Sequence, residues 1–558
     1  MSSLAAPLYR ALALLLLLAA VAPLPAQTTL SHLDDAAPIP VGMLQLRVAN
    51  AWTRWDERFT LEGTTPLGAA LSADSLGSAQ FPRLLPIESG LRTLASDPTL
   101  RLSLGQLRVT SNARVVTTPI GLEYGVTRRL SVGLLVPIVQ TRRVTQVIVA
   151  GDSTRANVGY VPLGSRTDAA AANAAVATAF KNAADSLGRL LTNCPANPSA
   201  AGCAAVIANT ADAAAARARA QSYADAVQTL GTTATSAIVA PRASSSLADT
   251  LDARRVQLNQ LLQQYLGADA GSPTGIFTAA TDFSYFDLQG NRATDTPGFL
   301  QSSLGGGLDS IYTTNRIGLG DIAVGARFMV FDRFQHDASP PPRLQTRMAV
   351  GAAVRLPTSF ADSAQNLTDI PTGEGAGVEL QSAWDMIVGR FGATVAGRYV
   401  KSFGRTVQAA VYGDPEAAYP YPLFAMRTRT PGDVFGLDIT PRLLLTQTLA
   451  LDGHYGLERI GATTYGLPDV TLAPDPCATC QSLLDLPVVT TSGTARTAQW
   501  FGAGLRYSTV DSYARGQASY PIEVSFMHVM TTTGDSGLPN ATRDQIQVRL
   551  FYQLFRRR

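Results

Sequence analysis

The chain has 558 residues and a net charge of +3, and only 16% of its residues are charged. A soluble protein usually has about 25% charged residues, so this chain is low in charge for that class. A net charge this small gives no reason to expect a nucleic acid or an acidic protein as a partner.

The N-terminus has the features of a secretion signal. Arg10 precedes the apolar run ALALLLLLAAVA, and PLPAQ follows, so we expect cleavage after Ala26. An uncleaved transmembrane helix needs ~20 apolar residues, and this run is shorter and ends at proline. No later segment reaches about 18 uninterrupted apolar residues, which argues against a helical inner-membrane protein.

Beyond residue 43, short runs alternate between apolar residues and small or charged ones. In Ile322–Val330, for example, apolar residues occupy every second position. Successive residues of a strand point to opposite faces, so each run predicts a strand with one apolar face. At the first run the alternation shifts at Asn50, and we expect Trp52 and Trp55 to lie at a membrane interface. The runs cover residues 44–53, 119–126, 130–139, 322–330, 347–356, 378–386, 391–399, 435–445, 449–458, 501–508, 520–526 and 545–554.

This pattern predicts an all-β transmembrane barrel of the outer-membrane type. A soluble sandwich shows the same alternation, but here it recurs to the last residues of a chain that starts with a secretion signal. In lipid every backbone polar group must be satisfied within the protein, so such a sheet has to close. We count about twelve strands, and fourteen are also compatible with the pattern. An even number puts both termini on the periplasmic side.

The predicted topology assigns each connection to one side of the membrane. The short turns expected on the periplasmic side lie near Arg128, Asp332, Gly389, Gln447 and Asp511. The loops expected outside the cell begin near Gly151, Ala361, Arg405, Pro468 and Thr531.

Residues 151–315 are a different kind of sequence. Asp168–Leu191, Ala204–Leu230 and Leu247–Leu266 are rich in Ala, Leu and Gln and lack alternation, so they predict helices. We expect the first two to pair as an antiparallel hairpin; a partly disordered low-complexity loop is the alternative. The chain thus divides into four parts: a signal peptide (1–26), N-terminal barrel strands (27–150), an Ala-rich helical loop insertion (151–315) and C-terminal barrel strands (316–558).

The faces opposite the apolar ones carry charges that a barrel would turn into a wet interior, where most would form ion pairs. The residues predicted to face the lumen are Glu123, Asp321, Arg327, Arg347, Arg355, Glu379, Asp385, Arg398, Asp438, Arg442, Asp452, His454, Glu458, Arg506, Glu523 and Arg549. In a narrow barrel such side chains could partly fill the lumen.

The four cysteines form two local pairs, Cys194 with Cys203 and Cys477 with Cys480. In an oxidising compartment close pairs predict disulfides. The second pair also has the spacing of zinc and redox sites, but zinc needs four ligands, and no second ligand pair is near. A redox pair normally opens a helix, whereas this one lies in a loop rich in Pro and Asp.

Three further patterns have simple structural explanations. Gly534–Gly537 reads GDSG, which turn chemistry explains without a protease nucleophile. His454, near Asp452 and Glu458, is expected to lie in a hydrogen-bonded lumen network. His528, near Ser525, would suggest a hydrolase on the membrane face, but no third partner is identifiable. We therefore predict no enzyme, no metal and no cofactor.

Two stretches resemble a known family. Gly121–Val139 (GLEYGVTRRLSVGLLVPIV) resembles a hairpin of the MetA-pathway-of-phenol-degradation family, and Ile317–Asp332 and Ala349–Thr358 resemble its later strands. The helical insertion is not part of the family's common pattern, and Ser359 stands where a glycine is expected.

The resemblance implies an outer-membrane barrel related to FadL-type channels, which admit hydrophobic compounds. The implied function is passive passage of small hydrophobic or aromatic molecules across a bacterial outer membrane. The implied partners are outer-membrane lipid, these solutes and the barrel-assembly machinery, and no nucleic acid. Three arginines follow Phe555, whereas such proteins usually stop at the aromatic residue. The alternative function is a barrel that anchors the helical insertion as a surface adhesion or assembly module.

Overall fold

A computed structural model describes residues 35–37, 39–150, 156–334, 344–360, 365–411, 418–419, 424–466, 490–492 and 495–553. Within these residues, twelve antiparallel strands form a closed barrel, in which each strand pairs with its neighbour in sequence and β1 also pairs with β12. The barrel strands are β1 (Met43–Thr60), β2 (Gln106–Gly125), β3 (Leu130–Ala150), β4 (in two segments, Thr314–Leu319 and Ile322–Asp332), β5 (Gln345–Leu356), β6 (Gly377–Val388), β7 (Phe391–Ser402), β8 (Val434–Leu444), β9 (Leu449–Ile460), β10 (Arg496–Ser508), β11 (Ile522–Gly534) and β12 (Pro539–Gln553). The predicted barrel is confirmed, and each predicted run overlaps one of these strands.

The remaining elements lie in the connections. The helices are α1 (Leu85–Ala95), α2 (Arg166–Asn193), α3 (Cys203–Ala208), α4 (Thr210–Thr229), α5 (Ser246–Leu266), α6 (Tyr285–Gln289) and α7 (Val510–Ala514), with 3-10 turns at Leu67–Leu71, Pro82–Leu84 and Leu163–Ser165. Short strands at Gly63–Pro66, Val158–Tyr160 and Val239–Pro241 accompany them, and Arg405–Ala410, Phe424–Thr430, Thr463–Tyr465 and Thr490–Ser492 form a small separate sheet. None of the described helices is both long enough and apolar enough to span a membrane.

Strands β2 and β3 are much longer than the sequence pattern predicted. Their pairing continues from Gly125 opposite Ser131 to Gln106 opposite Ala150. In the added part of β2 the polarity is reversed, because Leu107 and Val109 point inward and are buried while Arg108 points outward. Because the apolar residues change face where the strand leaves the membrane, the sequence pattern did not reveal this part of the strand.

Two expectations for β1 were wrong. The ladder with β12 runs through Asn50 without a shift, and its irregularity lies between Arg54 and Glu57. Trp55 does not lie at the membrane surface: its side chain points inward and packs with Val115 and Val139. Only Trp52 points outward, since β1 keeps strict alternation up to this point.

The two ends of the barrel differ strongly. Met43 pairs with Gln553, and Leu44 pairs with Tyr124 beside the short β2–β3 turn, so both ends of the barrel sheet lie at one rim. We call this rim the short-turn end. The long connections leave from the opposite rim, the long-loop end.

Residues 67–105 and 156–313 fold together into a helical unit that we call the cap. Its core contains the fully buried side chains of Leu91, Phe180 and Leu262. The predicted helical hairpin is present as α2 against α4, with the rings of Phe180 and Tyr223 4.7 Å apart. The predicted disulfide between Cys194 and Cys203 joins α2 to α3.

Helix α1, which lies between the first two predicted strand runs, completes the cap. At Gly90 an added Cβ would lie 1.9 Å from the Thr229 hydroxyl oxygen and 2.9 Å from the Ala226 carbonyl oxygen. The absence of a side chain at Gly90 therefore permits α1 to approach α4 closely.

The cap lies across the long-loop end. Leu107 and Val109, from the inward face of β2, belong to its core. From the other side of the barrel, Tyr419 packs against the same core and donates a hydrogen bond to the Leu71 carbonyl (2.6 Å). Leu367, in the β5–β6 loop, also packs there. Contacts from β2 and from two loops elsewhere around the barrel fix the cap over the mouth rather than beside it.

Candidate functional site

The inward faces of β2 to β5 form a wall of small residues around the lumen. Gly133 on β3 stands opposite Gly325 on β4, which in turn stands opposite Ala353 on β5. At Gly121 an added Cβ would be 3.6 Å from the nearest side-chain atoms, so this position has ordinary van der Waals room. Side chains this small leave the space beside the wall unfilled.

A cavity lies against the small-residue wall. It is a small space that is partly open to solvent. Leu135 and the wall residues give it an apolar side, and a few polar groups complete it. These polar lining residues are Gln45, Arg47, Glu123, Arg327 and Gln381. An apolar surface with few polar groups is typical of sites for small molecules.

The short-turn end of the lumen holds the chain segment that precedes β1. The Asp35 carboxylate lies 2.6 Å from the Arg549 guanidinium, and Arg327 donates to the Asp35 carbonyl oxygen (3.1 Å). The backbone N–H of Ala36 donates to the Asp385 carboxylate (3.0 Å), and Ala36 is fully buried. This segment, which no sequence pattern marked, therefore occupies the lumen near its short-turn end.

Two further pairs stand around this segment. The Arg327 guanidinium donates to both oxygens of the Glu123 carboxylate, at 2.7 and 2.8 Å. Arg347 donates to Asp385 at 2.8 Å, next to the Ala36 contact. Such paired geometry matters because a buried charge without a partner is costly.

A second group of charges comes from β8 to β12. Asp452, almost fully buried, receives hydrogen bonds from Arg442 (2.9 Å) and Arg506 (2.8 Å), one on each carboxylate oxygen. Glu523 lies 3.4 Å from Arg506 and 3.5 Å from Arg549. Through Arg549 this group is continuous with the ion pairs around Asp35.

The lumen is also polar farther toward the long-loop end. Arg398 forms a buried ion pair with Glu458. The indole N–H of Trp500 donates to Nε2 of His454 (2.8 Å), and the Asp438 carboxylate lies 3.4 Å from the same nitrogen. The sequence had grouped His454 with Asp452 and Glu458, but both of those carboxylates bind arginines instead.

Two other predicted residues, Arg355 and Glu379, lie on the inward side near the long-loop ends of β5 and β6. Arg355 donates to the Ser402 hydroxyl (2.8 Å), and Glu379 accepts from the Gln381 side chain. Asp321 departs from the pattern, because it sits between the two segments of β4 and accepts from the backbone N–H groups of Ser359 (3.3 Å) and Gly375 (2.8 Å). Its role is to hold the β5–β6 loop against the barrel.

The outer face of the barrel is apolar. Phe501 is 50% exposed and Leu505 is 49% exposed, whereas the interior Glu458 is 2% exposed. Outward apolar side chains continue on other strands, among them Val132, Val324, Phe328, Val354, Leu380, Phe435, Leu451, Phe526, Ile546 and Tyr552. This arrangement is the one that an outer-membrane barrel presents to lipid.

In the described residues, the fold does not bring the remaining chemical motifs together into a catalytic or binding site. His528 points outward and its Nδ1 lies 2.6 Å from the Asp544 carboxylate, but Ser525 is on the inward face of the same strand, so the two cannot act together. Gly537 has a left-handed φ of +93° in the β11–β12 turn, as its turn sequence predicted. Cys477 and Cys480 lie outside the described residues, as do the signal peptide and the residues after Gln553.

No protein-family model and no curated protein matches the chain. Among solved structures, an outer membrane channel from Pseudomonas putida F1 is similar with a TM-score of 0.37 and 10% identity, covering 93% of this chain and 98% of that one. A FadL homologue from Pseudomonas aeruginosa has a TM-score of 0.25 and 9% identity, covering 92% and 90%. The translocator domain of the autotransporter NalP from Neisseria meningitidis has a TM-score of 0.26 and 8% identity, covering 92% and 88%. At these values the function has to be inferred from the residues of this chain.

Proposed function

We propose that this protein is a bacterial outer-membrane channel for passive passage of small hydrophobic or aromatic compounds. The observation that carries the proposal is the cavity beside the small-residue wall, inside a closed barrel whose outer face is apolar. The family resemblance of Gly121–Val139 and Ile317–Asp332 points in the same direction. The partners that we propose are membrane lipid, the solute and the barrel-assembly machinery.

The charges of the lumen fit an uncharged solute. Asp452, Glu458 and Asp385 each already bind an arginine. A charged solute would have to compete with these internal pairs, since groups that are paired in a low-dielectric interior are costly to separate. The wall around Gly121 and Gly133 offers apolar surface without this cost.

Both ends of the lumen hold protein, so passage requires movement. The segment around Asp35 and Ala36 occupies the short-turn end, and the cap covers the long-loop end. Among the described residues, this segment is held by the contacts of Asp35 with Arg549 and Arg327 and by the hydrogen bond from Ala36 to Asp385. We propose that its displacement opens the path from the cavity to the periplasm.

Uptake into liposomes tests the proposal. Purified protein should speed the entry of a small aromatic compound relative to empty liposomes, with no gain for a sugar of similar size. Gly121→Phe should fill the cavity and lower aromatic entry to the rate of empty liposomes. Leu122→Phe adds a ring on the adjacent, lipid-facing position and should leave entry unchanged.

Other outcomes would redirect the proposal. Faster sugar entry would indicate a general pore. Equal rates of aromatic entry with Gly121→Phe and Leu122→Phe would show that the solute does not pass through the cavity. Deletion of Asp168–Gln264 separates the channel from the adhesion module: transport should survive it, whereas adhesion should not. The cap packs across the mouth of the barrel and does not project from it, which favours the channel over a displayed adhesion module.

A further inference from the structure

The outer face of the barrel carries a row of arginines at the edge of its apolar surface. Arg54 on β1 stands directly opposite Arg114 on β2, and Arg114 stands directly opposite Arg142 on β3. All three side chains are exposed. The next position along the row, on β4, is Asn315. We call Arg54, Arg114 and Arg142 the arginine row.

This arrangement does not stabilise the barrel by itself. Like charges directly opposite each other on neighbouring strands destabilise a sheet. Arg54 is partly compensated, since it donates to the Thr542 hydroxyl (3.2 Å) and lies 3.7 Å from Asp544, a carboxylate that also binds His528. Within the described part of the chain, Arg114 and Arg142 have no hydrogen-bond or ion-pair partner.

The row lies where a membrane surface is expected. From the rim residue Leu44 to Arg54, β1 advances about ten residues, which is ~34 Å along a strand. A strand tilt of about 40° reduces this to a height of roughly 26 Å, close to the ~25 Å of an outward apolar band. Just inside the row, Trp52 pairs with Val116, and an aromatic residue at this level is typical of an interface.

We propose that the arginine row binds the phosphate groups of anionic lipids in the membrane leaflet at the long-loop end. Guanidinium groups bind phosphate oxygens in bidentate fashion, and the row offers three of them side by side. Anionic lipid would remove the mutual repulsion of the row, so this proposal supplies the partner that the barrel lacks. It rests on the membrane-spanning barrel of the proposed function.

Quenching of tryptophan fluorescence by brominated lipids measures this preference. Of the four tryptophans, Trp52 and Trp384 lie on the outer face, whereas Trp55 and Trp500 are buried. A Trp384→Phe background therefore leaves Trp52, beside the row, as the lipid-facing reporter. The full-length protein is reconstituted in phosphatidylcholine mixed with phosphatidylglycerol, with either lipid brominated.

We expect brominated phosphatidylglycerol to quench Trp52 in preference to brominated phosphatidylcholine. Each surface arginine contributes about fivefold to attraction for an anionic leaflet. The double variant R114Q/R142Q should therefore lose most of the preference. The control R189Q/R219Q removes two exposed arginines of the cap and should retain it.

A second measurement protects the test against a folding defect. In an uncharged detergent, R114Q/R142Q should resist urea at least as well as the parent, because repulsion within the row is relieved. A variant that unfolds more easily would mean that the row has an internal structural role, which overturns the proposal.

The remaining outcomes are also decisive. Equal quenching by both lipids in the parent protein overturns lipid-phosphate binding while leaving the barrel in the membrane. No quenching by either lipid would contradict the membrane-spanning barrel itself. Loss of the preference on adding excess inorganic phosphate at constant ionic strength would make the row a site for soluble anions and would likewise overturn the proposal.

Discussion

The cap and the barrel bury opposite kinds of side chain. In the cap, Phe180 and Leu262 are fully buried while Lys181 is exposed to water. In the barrel, Arg549 is 5% exposed and Phe501 is 50% exposed. The difference shows that the surrounding medium decides the polarity of an interior. A unit in water hides apolar groups, and a sheet in lipid must pair its charges inside.

Strand β2 contains both arrangements in one continuous element. Near the short-turn end its apolar residues, such as Leu122, point outward, and Glu123 points inward. Near the cap its apolar residues, such as Val109, point inward, and Arg108 points outward. The backbone does not change between the two parts. The change of phase therefore marks where the strand passes from lipid to water.

The largest expected effect comes from breaking the charged interior of the barrel. Asp452→Asn would leave Arg442 and Arg506 without their shared carboxylate. Removing one partner of a buried ion pair costs roughly 3–5 kcal/mol. Urea titration of the lipid-reconstituted protein should show a free energy of unfolding that is lower by this amount.

Asp185→Asn is the matched control, because the Lys181–Asp185 pair is exposed on the cap. A surface pair of this kind contributes about 0.3–0.5 kcal/mol. Equal effects of the two substitutions would show that the interior of the barrel is as well solvated as the cap surface.

The disulfide of the cap should have an intermediate effect. The double variant C194S/C203S removes a link between residues nine apart in sequence. In the chain-entropy account a loop of this size contributes about 3 kcal/mol. The cap should become easier to digest with protease, while the barrel strands keep their protection. Simultaneous exposure of cap and barrel would contradict the view that the barrel strands stay folded when the cap is loosened.

The smallest expected effect concerns a charge buried inside the cap. Glu88 accepts hydrogen bonds from the Leu102 N–H (3.0 Å) and the Ser78 hydroxyl (2.8 Å), and it pairs with Arg92. Burial raises the pKa of Glu88, but these hydrogen bonds and the charge of Arg92 outweigh it, so the pKa lies below its ordinary value of 4.5.

The sign of the pH dependence follows. A lowered pKa means that the carboxylate stabilises the folded cap above about pH 4.5, and that this contribution is lost as the pH falls through the folded-state pKa. Glu88→Gln should cost roughly 2 kcal/mol at neutral pH. It should also flatten the loss of cap stability between neutral and acidic pH, measured by urea unfolding. A parallel pH profile in both proteins would exclude Glu88 as the cause.

The sequence by itself determined the barrel and the helical insertion. The alternation in Ile322–Val330 and in the other predicted runs indicates which face of each strand meets lipid and which meets the lumen. Alanine-rich runs such as Asp168–Leu191 have no such alternation, so they cannot form strands of this kind. These are local properties, set by the two-residue period of a strand and by helix propensity. The disulfide of Cys194 with Cys203 was predictable for the same reason, since the two are near each other in sequence.

Only the tertiary structure decided what fills and what surrounds the lumen. Asp35 has no sequence pattern, and its partners Arg327 and Arg549 come from β4 and β12, which are far apart in the sequence. The arginine row is equally invisible along the chain, because Arg54, Arg114 and Arg142 are brought together only by the pairing of three strands. Cross-strand register depends on closure of the whole sheet, so it fixes neighbours that no local period can reveal.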